Sequence, residues 1–111
     1  MPKYTFLVLT NATDGKDAEF NDWYDNVHLG DVLKIPGYKA AQRFKLSDQA
    51  GAEASNWRYM SLYEVEAASA DEARANLNAA GASGAMPVSD TLHKDSVFAL
   101  FFEPIGPRVT S

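Results

Sequence analysis

The sequence predicts an α+β fold of order βαββαβ, a ferredoxin-like antiparallel sheet with both helices on one face. Three observations predict it. Four segments carry the alternation, or the β-branched and aromatic enrichment, of strands. Two segments carry helical start and stop signals, one after the first strand and one after the third. Right-handed crossovers then place both helices on the same side of the sheet.

The first strand is Tyr4 to Thr10 (YTFLVLT), apolar on both alternating faces, as expected of a strand covered on both sides. Asn11 to Gly15 is a turn cluster. A helix follows from about Lys16 to His28, with Asp14 or Asp17 as its cap and acids at its positive end. Gly30 weakens it. Asp31 to Lys34 can add one more turn before Pro36-Gly37 stops the run. The second strand, Tyr38 to Leu46, places Tyr38, Ala40, Gln42, Phe44 and Leu46 on one face and Lys39, Ala41, Arg43 and Lys45 on the other. Ser47 to Asn56 is a small, polar loop. The third strand is Trp57 to Glu66, with Trp57, Tyr59, Ser61, Tyr63 and Val65 sharing a face. The second helix spans Ala67 to Ala82, with Ser69 as N-cap and Glu72 at the capping-box distance. Ser83 to Asp95 is mostly loop, and the fourth strand is Ser96 to Glu103. Phe98, Leu100 and Phe102 lie on one side of that strand, and Val97, Ala99 and Phe101 on the other. In this topology it is an edge, and a doubly apolar edge is a liability for a monomer. A second copy packed on the helix-free face removes the liability, so a homodimer is expected.

Composition narrows the function classes. A length of 111 residues predicts one domain over 1–111, and a hydrophobic content of 46% is enough for a packed core. The net charge of -5 and the scattered basic residues argue against nucleic acid as a partner. With no cysteine there is no disulfide, thiolate nucleophile or Cys-ligated zinc. No apolar run approaches the roughly 20 residues that span a bilayer, and no membrane partner is expected. Met1-Pro2-Lys3-Tyr4 enters a strand without a signal-peptide pattern, so the cytoplasm is the expected compartment. The two histidines lack ligand spacing, and neither a metal nor a cofactor is expected.

The most informative stretch is Glu19 to Tyr38. Asn21, Tyr24, Asp25 and His28 fall on one helical stripe, beside an apolar stripe of Phe20, Trp23, Tyr24 and Val27 that should face the sheet. His28 is thus expected at the border of core and solvent, where a histidine can exchange a proton near neutral pH. Asp25 is placed to orient its ring. A structural role is open too: a histidine near a helix C-terminus is favoured by the dipole alone. Arg43 also has two readings, a bidentate anchor for a carboxylate or phenolate, or an ion pair across a dimer. His93 sits in a polar loop and should be solvated.

The order aromatic pair (Trp23-Tyr24), His28, hydrophobic turn, Pro36-Gly37-Tyr38 and Arg43-Phe44 resembles the EthD-like group of dimeric α/β-barrel proteins. The likeness covers about Lys16 to Leu46; EthD-like sequences often read His-x-Pro where this chain has Gly30. The resemblance implies a dimeric α/β barrel with a site at His28. It also implies small cofactor-free enzymes (lyases, isomerases, cyclases or oxygenases) acting on small aromatic, polyketide or lactone-like molecules. On that reading His28 is the acid-base group, with Tyr24 or a strand tyrosine as its hydrogen-bond partner, and a flat ligand lies among Phe6, Trp23, Tyr24, Tyr59 and Tyr63. Two other readings stand beside it. One is a non-catalytic ligand-binding or accessory protein of a catabolic pathway, and the other is a structural dimer with a filled core.

Overall fold

The computed structural model describes residues 1–111. Strand β1 is Lys3–Thr10, β2 is Tyr38–Lys45, β3 is Tyr59–Glu66 and β4 is Phe98–Phe102. They form one antiparallel sheet in the order β2-β3-β1-β4, which leaves β2 and β4 at its edges. Between β1 and β2 the chain is helical through three consecutive pieces: α1 (Asp17–Trp23), a π turn (Tyr24–His28) and α2 (Leu29–Val32). Helix α3 is Ala70–Ala82. The βαββαβ order, the antiparallel sheet and the ferredoxin-like topology are those the sequence predicts. No helix is long and apolar enough to cross a membrane.

The core forms where the helices meet one face of the sheet. Phe6, Tyr63 and Val65 from the strands are buried with Val32, Ile35 and Ala73 from the helical side. Phe6 stacks on Phe101 with ring centroids 4.2 Å apart, and the buried Tyr38 hydroxyl donates to the Ala73 carbonyl at 2.7 Å. The opposite face has no helix over it, and Phe44, Phe98, Leu100 and Phe102 are exposed there.

The ends of several elements depart from expectation. No side chain caps α1, whose N-cap position is Lys16 rather than Asp14 or Asp17. The further turn that the sequence allows past Gly30 does form, as α2, which runs through Gly30 to Val32. Ser69 does cap α3, accepting from the Glu72 N–H at 3.0 Å. The Pro36-Gly37 stop has a steric reason. Gly37 sits at φ +90°, and a Cβ there would collide with the Glu66 carbonyl oxygen. The Gly37 carbonyl in turn accepts from the Glu66 N–H at 2.8 Å, which fastens the turn to β3.

The largest correction in the sheet lies in β2. The register slips between Tyr38 and Ala40, so Lys39 is a bulge residue. One extra residue reverses the facing of everything before it. Tyr38 pairs with Val65, Ala41 with Tyr63 and Arg43 with Ser61, all on the helix-covered side. Strict alternation had separated Tyr38 from Arg43; the bulge brings them to the same face.

Candidate functional site: a cavity beneath the π turn

The first helical run must place Phe20, Tyr24, His28 and Val32 against the sheet, and these are spaced by four. At about 100° per residue, three such steps drift by about 120° around a regular helix, too far for one face. The π turn absorbs one residue and resets the phase. Its mark is the Leu29 N–H, which donates to the Tyr24 carbonyl five residues back. Phe20, Tyr24 and Val32 are consequently buried, while Val27 is 45% exposed rather than part of the apolar stripe. Trp23 and His28, five apart, would lie about 140° apart on a regular helix. Here their rings stack at 4.6 Å with 25° between planes.

His28 is half-buried, at the border of core and solvent as expected. The Tyr24 ring meets it edge-on at 4.8 Å. Its Nδ1 is buried without a hydrogen-bond partner. Burial makes the imidazolium costly, and Arg43 adds to this against an opposing pull from Asp31, so its pKa is lowered to about 4. At neutral pH His28 is an uncharged imidazole. It does not keep the ordinary value near 6.5 that the sequence suggests.

Beside His28 lies a cavity of about 150 Å³ between the helices, the sheet and the segment that precedes β4. Phe6, Val8 and Thr10 of β1 form its floor with Tyr63 of β3. Val88, Leu92 and Val97 flank it from the connecting segment. That segment is tied to the turn after β1. The Thr13 N–H donates to the Thr91 carbonyl at 2.7 Å, the His93 N–H to the Asn11 carbonyl at 2.9 Å, and the Thr13 hydroxyl to the Asp90 carbonyl at 2.8 Å. The lining is mostly apolar with a few polar groups. The Tyr24 and Tyr63 hydroxyls are 3.2 Å apart, and the Thr10 hydroxyl is buried without a partner. Burial, reinforced by Tyr24, pushes the Tyr63 phenol well above its ordinary value, so it stays protonated.

The remaining expected site residues gather at a different place. Arg43 points toward the first helical run, neither outward nor to a partner. Its Nη1 donates to Asp25 Oδ1 at 2.9 Å and its Nη2 to Asn21 Oδ1 at 2.9 Å. Its guanidinium carbon lies 4.4 Å from the centroid of the Tyr24 ring. Asp25 is thus committed to Arg43 instead of orienting His28. Tyr59 donates to Asp17 Oδ2 at 2.6 Å, and burial with that bond raises its pKa. Trp23, Tyr59 and Arg43 do not line the cavity, whereas Phe6, Tyr24, His28 and Tyr63 do. Trp23 and Arg43 instead buttress the rings of His28 and Tyr24. His93 is exposed, with Nδ1 2.9 Å from the Ser96 hydroxyl. Thr10 and the connecting segment went unnoticed in the sequence. The four-residue spacing of Phe20, Tyr24, His28 and Val32 is the signal that points to the π turn.

No family model matches the chain, and no curated protein matches it. Solved structures do. An EthD (ethyl tert-butyl ether D) family protein from Bacillus halodurans C-125 superposes with a TM-score of 0.59 at 16% identity, covering 95% of this chain and 100% of the other. A protein described as a candidate monooxygenase from Shewanella loihica PV-4 gives 0.62 at 17%, covering 96% and 97%. A dimeric ferredoxin-like protein of unknown function from Jannaschia sp. CCS1 gives 0.57 at 17%, covering 92% and 99%. At these identities the likeness shows the fold alone, a ferredoxin-like one that this chain shares with an EthD family protein.

Proposed function

We propose that this protein is a small cofactor-independent enzyme whose substrate is a small hydrophobic or aromatic molecule of phenolic, polyketide or lactone-like type. His28 accepts a proton in the cavity, and Tyr24 is its neighbour in the site. The observation that carries this reading is one side chain: a half-buried, uncharged imidazole with a buried, unbonded Nδ1 beside an apolar cavity. Such a nitrogen accepts a hydrogen bond or proton from a ligand hydroxyl or an acidic C–H. The Tyr24–Tyr63 hydroxyl pair leaves one O–H free to stabilise charge developing on a substrate oxygen. The whole chain acts as one domain, and two copies pair through the helix-free sheet face.

A specific observation favours a second reading. A group with a pKa of about 4 is a weaker base than the near-neutral value suited to proton transfer at pH 7. A hydrogen-bond acceptor in a binding protein has no such requirement. On this reading the chain is a non-catalytic ligand-binding or accessory protein.

A thermal-shift screen of small phenols and lactones comes first, followed by product analysis with the hits. For an enzyme, His28→Ala lowers turnover by about 10²–10⁴-fold, and His28→Gln, which cannot shuttle a proton, is nearly as inactive. Ligands that stabilise the wild type and are recovered unchanged at every pH assign it to the binding class. Activity that survives His28→Ala in a strongly destabilised protein makes His28 structural.

A further inference from the structure

Thr10 is the last residue of β1, 2% exposed, with its Oγ1 buried and unpartnered. A buried hydroxyl without a partner forgoes its hydrogen bond to water, and a valine of the same shape avoids that loss. The side chain lines the same cavity as His28, whose Nδ1 is also buried and unpartnered. Two side chains that line one apolar space thus each carry an orphaned polar atom, and a ligand with two polar substituents would satisfy both. Thr10 and Phe6 both line the cavity and are four residues apart on β1, about 13 Å at the rise of a strand. The space therefore runs along the strand.

Size and charge narrow the ligand further. A cavity near 150 Å³ is of the size that takes up benzene. No Lys, Arg, Asp or Glu lines it, and Arg43 is held away by Asn21, Asp25 and the Tyr24 face. An ion placed there would be desolvated without a counter-charge.

We propose that the cavity binds a neutral single-ring molecule carrying two hydroxyl or carbonyl groups, one received by His28 and the other by Thr10. The inference rests on the reading of the cavity as the ligand site and adds the substrate's size, its charge and a second anchoring residue. Neither the fused rings of a larger polyketide nor a carboxylate fits these limits.

The test uses phenol, resorcinol, hydroquinone, 2-naphthol and benzoate as probes in calorimetric titrations of the full chain. At least one dihydroxybenzene should bind about tenfold more tightly than phenol, the scale of one net hydrogen bond. Benzoate and 2-naphthol should bind weaker than phenol. Thr10→Val should abolish the preference for the dihydroxybenzene over phenol and raise the melting temperature of the free protein. Thr10→Ser should restore the preference. The proposal is overturned if Thr10→Val preserves the preference, if it lowers the melting temperature, or if benzoate or 2-naphthol binds as well as phenol. Dihydroxybenzene binding that responds to His28→Gln but not to Thr10→Val ends this inference and leaves the broader reading intact. No binding of any ring to the wild type ends both.

Discussion

Burial strips the hydration that a protonated His28 would need, and Arg43 adds to that cost against an opposing pull from Asp31, so its pKa is lowered to about 4. The unfolded chain, with an ordinary value near 6.5, binds the proton more readily than the folded one. Stability from this residue is therefore full above about pH 6.5 and lost as pH falls from there to about 4. The loss is on the order of 3 kcal/mol for this interval. We expect wild-type urea midpoints to fall between pH 7.5 and 4.5, and the fall to be smaller in His28→Gln; parallel curves for the two proteins refute the linkage. The hydroxyl pair gives a second expectation. Tyr63→Phe or Tyr24→Phe alone strands a buried hydroxyl and should cost about 1–2 kcal/mol. The double variant removes both and should cost less than the sum; additive losses would show that the pair is not coupled.

At the scale of elements, the π turn decides what faces the cavity. It turns Val27 outward and His28 inward. Val27→Asp should then change stability by no more than about 0.5 kcal/mol, as at an ordinary surface position. A loss of several kcal/mol in a chemical melt would place Val27 in the core and reject the π register. This is also where the sequence was hardest to read. A regular 3.6-residue period put Val27 among the sheet-facing residues, because one inserted residue leaves no mark on composition. The β2 bulge at Lys39 escaped for the same reason, and with it the direction of Arg43. Strand order, the Ser69 cap and the Pro36-Gly37 stop were legible because each depends on local chemistry: alternation, a side-chain acceptor and a backbone that only glycine adopts. His28 was legible as the one histidine on an amphipathic helix. Thr10 was not, because an alternating strand looks the same whether its last inward residue meets a core or a cavity.

At the scale of the molecule, the two faces of the sheet are unequal. The helices and the cavity cover one face. The other presents Phe44, Phe98, Leu100 and Phe102, with Leu100 46% and Phe102 50% exposed. The last three lie on β4, which has β1 on one side and an open edge on the other. Apolar side chains concentrated on one face and reaching a free edge favour association, since covering them gains roughly 25 cal/mol per Å². Pairing two copies through this face leaves the cavity untouched on the opposite side. We therefore expect a homodimer in solution that buries more than about 1,000 Å² in total. Leu100→Glu with Phe102→Glu should produce a folded monomer, because a charge buried at the centre of such an interface goes uncompensated. Light scattering coupled to size exclusion reads the mass, and circular dichroism checks the fold. Because the cavity lies across the sheet, ligand binding per chain should persist in that monomer. A wild type that runs as a monomer at micromolar concentration, or a double variant that remains dimeric, would move the interface away from this face.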